Sequence, residues 1–435
     1  MRLGALALLV VAQLAAADEA VRMEEKFPVG ARHKVRVRVE LTGSLKPPPG
    51  KGKPAEPVRI EGSSSIDYEE RILSQSGGVI NRSLRLCERF EMKRSIAGKQ
   101  QQLALRPEVR RLVVLRKGHT ESAFSPDGPL YWGELDVVRT DVFIPALTGL
   151  LPSRAVRPGE VWQASGASVQ ELTDLEKVEA GGMDLRLERI VKDGKRRLAK
   201  VQLSGTVKGV GEDGTASHKL QGLYHFDLDE GYLADLVLNG EMSLLDKDGK
   251  EAGKVEGRFV MVRTPGGSAE GLSDEAVRKL KTEPDEENTR ILYDNPDAGV
   301  RFLYPRAWRL TREMGNQYAL DGPEGEGVLI TLDSPGKTPT ARQLKEEARQ
   351  WVEKQKGAVL REQDSVTLRA SPRLDWFGLE ARMGGDAFWM DYYVTVQEAG
   401  GATLAARSRH ASLKQSRKDT SMIAGSISIQ APRKK

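Results

Sequence analysis

The 435 residues are enough for two or three domains, and 67 Lys and Arg against 62 Asp and Glu leave a net charge of only +5. Charged residues of mixed sign make up 30% of the chain, which describes a solvated surface and argues against nucleic acid, whose partners cluster one sign. A single cysteine, Cys87, excludes a disulfide within the chain, and a core of this size holds without such staples.

The chain opens with Arg2, then a mostly apolar run over residues 3–14, then Ala15-Ala16-Ala17 ahead of Asp18. A basic start, a short greasy stretch and small side chains at a cut are the layout of a cleavable secretory signal peptide over residues 1–17. The run is shorter than the roughly 20 residues of a membrane-spanning helix. The expectation is export to a periplasmic or extracellular location, with no transmembrane segment after cleavage. Loss of Arg2 leaves 66 basic against 62 acidic residues, a mature net charge of +4.

From residue 18 to 264 the dominant period is two. Val35, Val37, Val39 and Leu41 alternate with Lys34, Arg36, Arg38 and Glu40. Val58, Ile60, Ile66, Tyr68 and Ile72 share a parity, as do Ile80, Leu84, Leu86, Phe90 and Met92. The pattern returns at Met183, Leu185, Leu187 and Val191, at Val201, Leu203 and Val207, at Leu220, Tyr224, Phe226 and Leu228, and at Leu236, Leu238, Met242 and Leu244. One apolar and one charged face mark antiparallel strands wetted on one side. Gly194, Gly214, Gly231 and Gly249 close acidic turns between them. Strands this long predict a large curved antiparallel sheet or half-barrel. Residues 46–57 (KPPPGKGKPAEP) read as a loop, and residues 135–151 interrupt the alternation as a helix with Pro145 near its start or a kink.

Residues 265–288 are polar, begin with Pro265-Gly266-Gly267 and hold one short helix over residues 273–281, so they read as a linker. Beyond it the style changes. Ala341, Leu344, Ala348, Trp351 and Val352 form one helical stripe over residues 340–356, with Thr340 and Gln343 as a capping box and Gly357 as the stop. Strands are predicted over residues 299–304, 315–320, 327–332, 379–383, 387–398 and 403–410, a second helix over 413–423 and a last strand over 426–430. That order describes an α+β domain over residues 289–430. A basic tail, residues 431–435, follows.

The stretch Asp297-Ala298-Gly299-Val300-Arg301-Phe302-Leu303-Tyr304-Pro305-Arg306-Ala307-Trp308 resembles the opening of the PsbP-like fold. Its Phe-x-x-Pro-x-x-Trp spacing and the element order after it carry the resemblance over about residues 288–430. The resemblance implies an antiparallel sheet with covering helices in a mostly non-enzymatic group of extrinsic subunits and partner-binding modules, with no catalytic residues to carry over. The turn Pro158-Gly159-Glu160-Val161-Trp162 is similar, only generically, to one found in exported bacterial β-rich proteins of unknown function.

Chemistry-bearing motifs are sparse. His33, His119, His218, His225 and His410 are scattered, and His218 and His225 fall on opposite faces of one strand. The loop from Asp246 places Glu251 and Gly257 where a calcium loop needs Gly and Glu. Ser334-Pro335-Gly336-Lys337 lies in a loop, where Ser and Lys are not held together as an acylating pair requires. No catalytic, cofactor or metal residues are assigned. Cys87 sits on the polar parity of its strand and is either a partly exposed free thiol or an inert structural one. Phe388 and Tyr392 share one strand face and Trp389 and Tyr393 the other; one set is core, and the other is either covered by a helix or exposed. Trp376, Phe377, Trp389 and Tyr393 are the candidate interaction patch. The expected function is an exported, non-catalytic envelope protein that binds or scaffolds a partner protein. The alternatives are a carrier of a lipid or hydrophobic ligand and an exported hydrolase.

Overall fold

The computed structural model describes residues 19–46, 56–76, 79–117, 120–211 and 214–431. The signal peptide over residues 1–17, most of the 46–57 loop, His119 and residues 432–435 of the basic tail lie outside them. The described chain is mainly β, in large antiparallel sheets not closed into a barrel. It divides into two compact units. Unit 1 comprises residues 1–123 and 136–280, and unit 2 comprises residues 124–135 and 281–435.

The strands of the first part are β1 (Arg32–Leu45), β2 (Val58–Ser76), β3 (Val79–Ile96), β4 (Lys99–Ala104), β5 (Arg111–Lys117) and β6 (Thr120–Phe124). After them come the short β7 (Leu130–Tyr131), α1 (Trp132–Val138), a 3-10 turn Ile144–Leu150, β8 (Val161–Gln163) and α2 (Gly166–Thr173). The chain then runs through β9 (Lys177–Asp193), β10 (Arg196–Gly211), β11 (Gly214–Asp227), β12 (Tyr232–Leu245), β13 (Glu251–Pro265) and α3 (Asp274–Arg278). Twelve strands form one open sheet in the order β6-β5-β3-β2-β1-β13-β12-β11-β10-β9-β8, with β4 beside β3.

Cross-strand register turns the alternation into a continuous inner face. Phe90, Ile66, Val37, Met261, Leu236, Tyr224, Val201 and Leu187 are paired in a row across eight strands. All eight are buried. Residues directly opposite in a ladder share a face, so one row fixes the facing of all eight strands. Gly222 lies in the next row beside Leu238. A Cβ there would stand 2.1 Å from the Val237 carbonyl oxygen, so the tight coiling of β11 against β12 demands glycine.

The inner face is covered by the unit's own chain. Residues 136–175 place Val137, Val138, Phe143, Ile144, Leu147, Leu150, Val169 and Leu175 in the interior. Tyr224 donates its hydroxyl to the Leu150 carbonyl at 3.1 Å, and Trp162 donates its indole N–H to the same oxygen at 2.9 Å. The helix expected over residues 135–151 is thus two pieces, with Pro145 in the first turn of the second. At one end of the face the N-terminal segment adds Met23 and Phe27, and Val21 bridges to Val156.

The compact units divide the chain at other residues than the expected domain boundaries. Residues 266–280 are not a free linker but part of unit 1. The buried Glu69 carboxylate accepts from the backbone N–H groups of Ser268 and Ala269, and Arg32 and Arg71 both donate to the Leu272 carbonyl. Residues 124–135, expected inside the β-rich domain, belong to unit 2.

Unit 2 contains β14 (Ile291–Asn295), β15 (Val300–Tyr304), β16 (Arg309–Met314), β17 (Gln317–Asp321), β18 (Gly327–Asp333) and α4 (Ala341–Lys354). It continues with β19 (Ala358–Glu362), β20 (Val366–Ala370), β21 (Arg373–Met383), β22 (Asp386–Gln397), β23 (Gly400–Ser408), α5 (Leu413–Ser426) and β24 (Ser428–Ile429). Seven strands run in the order β16-β17-β18-β23-β22-β21-β19, with β20 beside β21. A smaller sheet, β24-β15-β14-β7, takes β7 as a parallel neighbour of β14. Helix α4 has the expected capping box. Its stop differs: Lys356, at φ +56°, takes the left-handed position, and Gly357 donates back to Val352. Gly357 is needed for close approach, since a Cβ would meet Met383 Cγ at 2.7 Å and the Arg382 oxygen at 2.8 Å.

Candidate functional site

A cluster of buried charged side chains lies where residues 136–175 meet the inner face. In the register of β1, β2 and β3, His33 faces Glu70 and Glu70 faces Arg85; beside them Val35 faces Tyr68 and Tyr68 faces Cys87. These residues stand on the same face as Ile66 and Val37, so the apolar row passes directly into a polar one. The side chains of Arg85, Glu70 and Asp141 are buried to within 1%. Arg85 donates from Nε to Glu70 at 3.0 Å and from Nη1 to Asp141 at 2.8 Å, and Ser83 donates to Glu70 at 2.8 Å. The guanidinium carbon lies 4.9 Å from the centre of the Tyr68 ring.

A second arginine repeats the device. Arg116 on β5 pairs with Glu171 on α2 and with Glu121 on β6, and its guanidinium lies 5.0 Å over the Phe143 ring. Glu171 also accepts from the Phe143 backbone N–H at 2.6 Å. Asp141, Phe143 and Glu171 all belong to the covering segment, so each arginine ties that segment to the sheet. Ser64 and Thr140 add a hydroxyl contact at 3.2 Å.

Four carboxyl groups (Glu70, Glu121, Asp141 and Glu171) thus share two guanidiniums. Burial raises the Asp141 carboxyl to about 6 against the pull of Arg85, and it raises Glu121 to about 7, again opposed by Arg85. A third buried pair closes the far end of the row, where Arg263, with no side-chain exposure, bonds to Glu25. Burial, then the Arg263 charge, lowers the nearby His33 to about 4. The arrangement cross-links a loop to a sheet.

The candidate thiol is a free, buried cysteine, on the other face of its strand from the one expected, and the candidate patch lies in the interior. Between Asp67 and Tyr68 the register shifts, leaving Glu88 as a bulge on β3. The extra residue changes the parity, so Cys87 shares the inner face with Phe90, while Leu84 and Leu86 take the other face. Cys87 is 2% exposed, and burial pushes its thiol well above the ordinary range, which makes it structural.

Trp376, Phe377, Trp389 and Tyr393 form no exposed patch. Phe377, Trp389 and Tyr393 are buried. Phe377 stacks on Tyr392, ring centres 4.8 Å apart, within the cluster that α4 covers through Ala348 and Val352. Trp376, Trp389 and Tyr393 lie on the opposite face under α5. Tyr393 meets Thr420 at 3.3 Å, and the Arg417 guanidinium lies 5.2 Å from the Trp376 ring and 5.0 Å from Trp389. Both indole N–H groups donate to the buried Asp391 carboxylate, at 2.9 and 2.8 Å. Both faces of the hairpin are therefore core. His225 pairs with Asp235 at 2.8 Å, and His218 is buried.

No family model matches the chain, and no curated protein matches it. Among solved structures it is similar to the PsbP protein CyanoP from Synechocystis sp. PCC 6803, at 12% identity and a TM-score of 0.25, over 33% of this chain and 93% of that one. It is also similar to lipovitellin, at 10% identity and a TM-score of 0.31, over 56% of this chain and 26% of that one. A third likeness, to DynF from Micromonospora chersina, has 11% identity and a TM-score of 0.14 over 57% of this chain and 86% of that one. At these identities and scores the likenesses bear on no residue of the site.

Proposed function

We infer that the chain is an exported, non-catalytic binding protein of the cell envelope, with unit 1 as a self-filled scaffold and unit 2 as a PsbP-like module that docks a partner protein. The observation that carries this reading is the covering segment. The apolar face of the open sheet is already occupied by Phe143, Ile144, Leu147 and Leu150 of the same chain. The ionisable groups beneath them are engaged with one another and with that segment. Among the described residues no helix is long and apolar enough to cross a membrane.

The test is crosslinking of the full-length, affinity-tagged protein in intact cells, with N-terminal sequencing of the mature product. A mature start near Asp18 and one recurrent envelope protein in the crosslinks support the reading. An intact leader on protein recovered from the cytoplasm overturns it. A second reading, carriage of a lipid or other hydrophobic ligand, is favoured by the unbroken apolar row across eight strands. Native mass spectrometry distinguishes the two, because a stoichiometric lipid mass on the purified protein favours the carrier.

A further inference from the structure

We propose that residues 136–156 and 165–175, which flank the sheet strand β8, form a proton-operated cover: with protons on the charged cluster these stretches stay seated on the sheet, and their loss at higher pH loosens them and uncovers the apolar row. The geometry behind this is an imbalance of charge placed at an internal seam. Asp141, on the cover, faces Tyr68 and Glu70 from β2 and Arg85 and Cys87 from β3. Glu121 on β6 and Arg116 on β5 complete the sheet side, and Glu171 on α2 the cover side. Arg110, at the entry to β5, lies beside Cys87, and His33 on β1 lies beside Glu70.

The two buried guanidiniums, even with the exposed Arg110 at the edge of the seam, are fewer than the four carboxyl groups, and removing a charge from water without a partner costs several kcal/mol. The seated state therefore retains protons on part of the cluster. Arg85 reaches the cover through Asp141, and Arg116 through Glu171 and the Phe143 ring. Extra negative charge at the seam thus acts directly on the contacts that hold the cover down. Raised carboxyl groups favour the seated state while protonated. Their contribution is whole below the ordinary carboxyl range and is lost as pH rises through about 6 for Asp141 and about 7 for Glu121. His33 titrates at about 4 and stays neutral throughout that window.

The test is hydrogen exchange on the full chain at about pH 5.5 and about pH 8.5, read as protection factors so that the intrinsic pH dependence of exchange cancels. The reporting amides are Phe143, Ala146 and Leu151, which donate to Glu171, Phe143 and Thr148. Amides of the β10–β11 ladder are the internal control. Between these pH values linkage makes opening roughly 4-fold easier through Asp141 and roughly 30-fold easier through Glu121, on the order of 100-fold together. Protection in the cover is expected to fall by about that factor between the two pH values while the control ladder holds. Asp141→Asn combined with Glu121→Gln should flatten the dependence, leaving the cover as protected at the higher pH as at the lower. Equal protection in the wild-type cover at both pH values overturns the proposal, as does an equal fall in the control ladder or an undiminished fall in the double variant. The wild-type comparison alone decides the matter if the double variant does not fold.

Discussion

Replacing Asp391 by Ala tests whether the interior beneath α5 depends on one carboxylate. Asp391 is buried and accepts from the Trp376 and Trp389 indoles, and Arg417 lies 3.3 Å away. Removing it strands two indole N–H groups, each at a cost of about 1–3 kcal/mol. Some of that loss is offset, because the carboxylate no longer has to be desolvated. Arg417 is 35% exposed at its side chain, so its charge turns to water and adds little, while its contact with the two rings remains worth about 0.5–2 kcal/mol. The net expectation is a loss of about 3 kcal/mol for Asp391→Ala and about 1–2 kcal/mol for Asp391→Asn, which keeps one acceptor. Urea unfolding followed by indole fluorescence reads both, and Asp391→Ala should also shift the native emission. A loss below about 1 kcal/mol for the Ala variant refutes the reasoning, since the hydrogen bonds would then do no more than offset desolvation.

Three further outcomes are expected. Cys87 should resist a thiol reagent for hours in the native protein and react fully in urea; native labelling at the unfolded rate contradicts the burial described for it. Gly357→Ala should cost about 1–3 kcal/mol in chemical denaturation, because its Cβ would press on Met383 and the Arg382 carbonyl; no change would mean that β21 yields freely. Arg85→Met should lose about 3–5 kcal/mol at pH 8 by leaving Glu70 and Asp141 without their cation. That loss should shrink toward pH 5 as the stranded carboxyls take up protons, so denaturation curves with equal losses at both pH values count against it.

Much of the frame is legible in the sequence because period-two alternation and turn glycines are local signals. The inner-row positions Phe90, Ile66, Val37, Leu236, Tyr224, Val201 and Leu187 follow from alternation read strand by strand, whereas Met261 on β13 was not read, and the Thr340–Gln343 capping box marks the start of α4 directly. The charged seam was missed for a physical reason. Glu70 and Arg85 share a face with apolar neighbours, but a search for apolar parity passes over charged residues. Their burial depends on Asp141, which is remote in sequence. Cys87 was misplaced because one bulge residue, Glu88, exchanges the two faces and leaves no compositional mark. The aromatic hairpin was legible as a cluster, though not its cover on the α5 side, because α5 buries Ser416, Thr420, Ile423 and Ala424 rather than an apolar stripe. Strand β7 has two residues, too few for any periodicity.

The placement of residues 124–135 has a consequence for how the molecule is made. Because the polypeptide visits the second unit and then returns, neither unit is a continuous stretch of chain. On a ribosome, Leu130 and Tyr131 emerge before all of β8 to β13, yet their ladder partners Ile291 and Leu292 come only afterwards. Strand β7 therefore has no ladder partner until residues 291 and 292 have been made. A fragment beginning at residue 281 would present β14 with a bare edge where its parallel neighbour belongs.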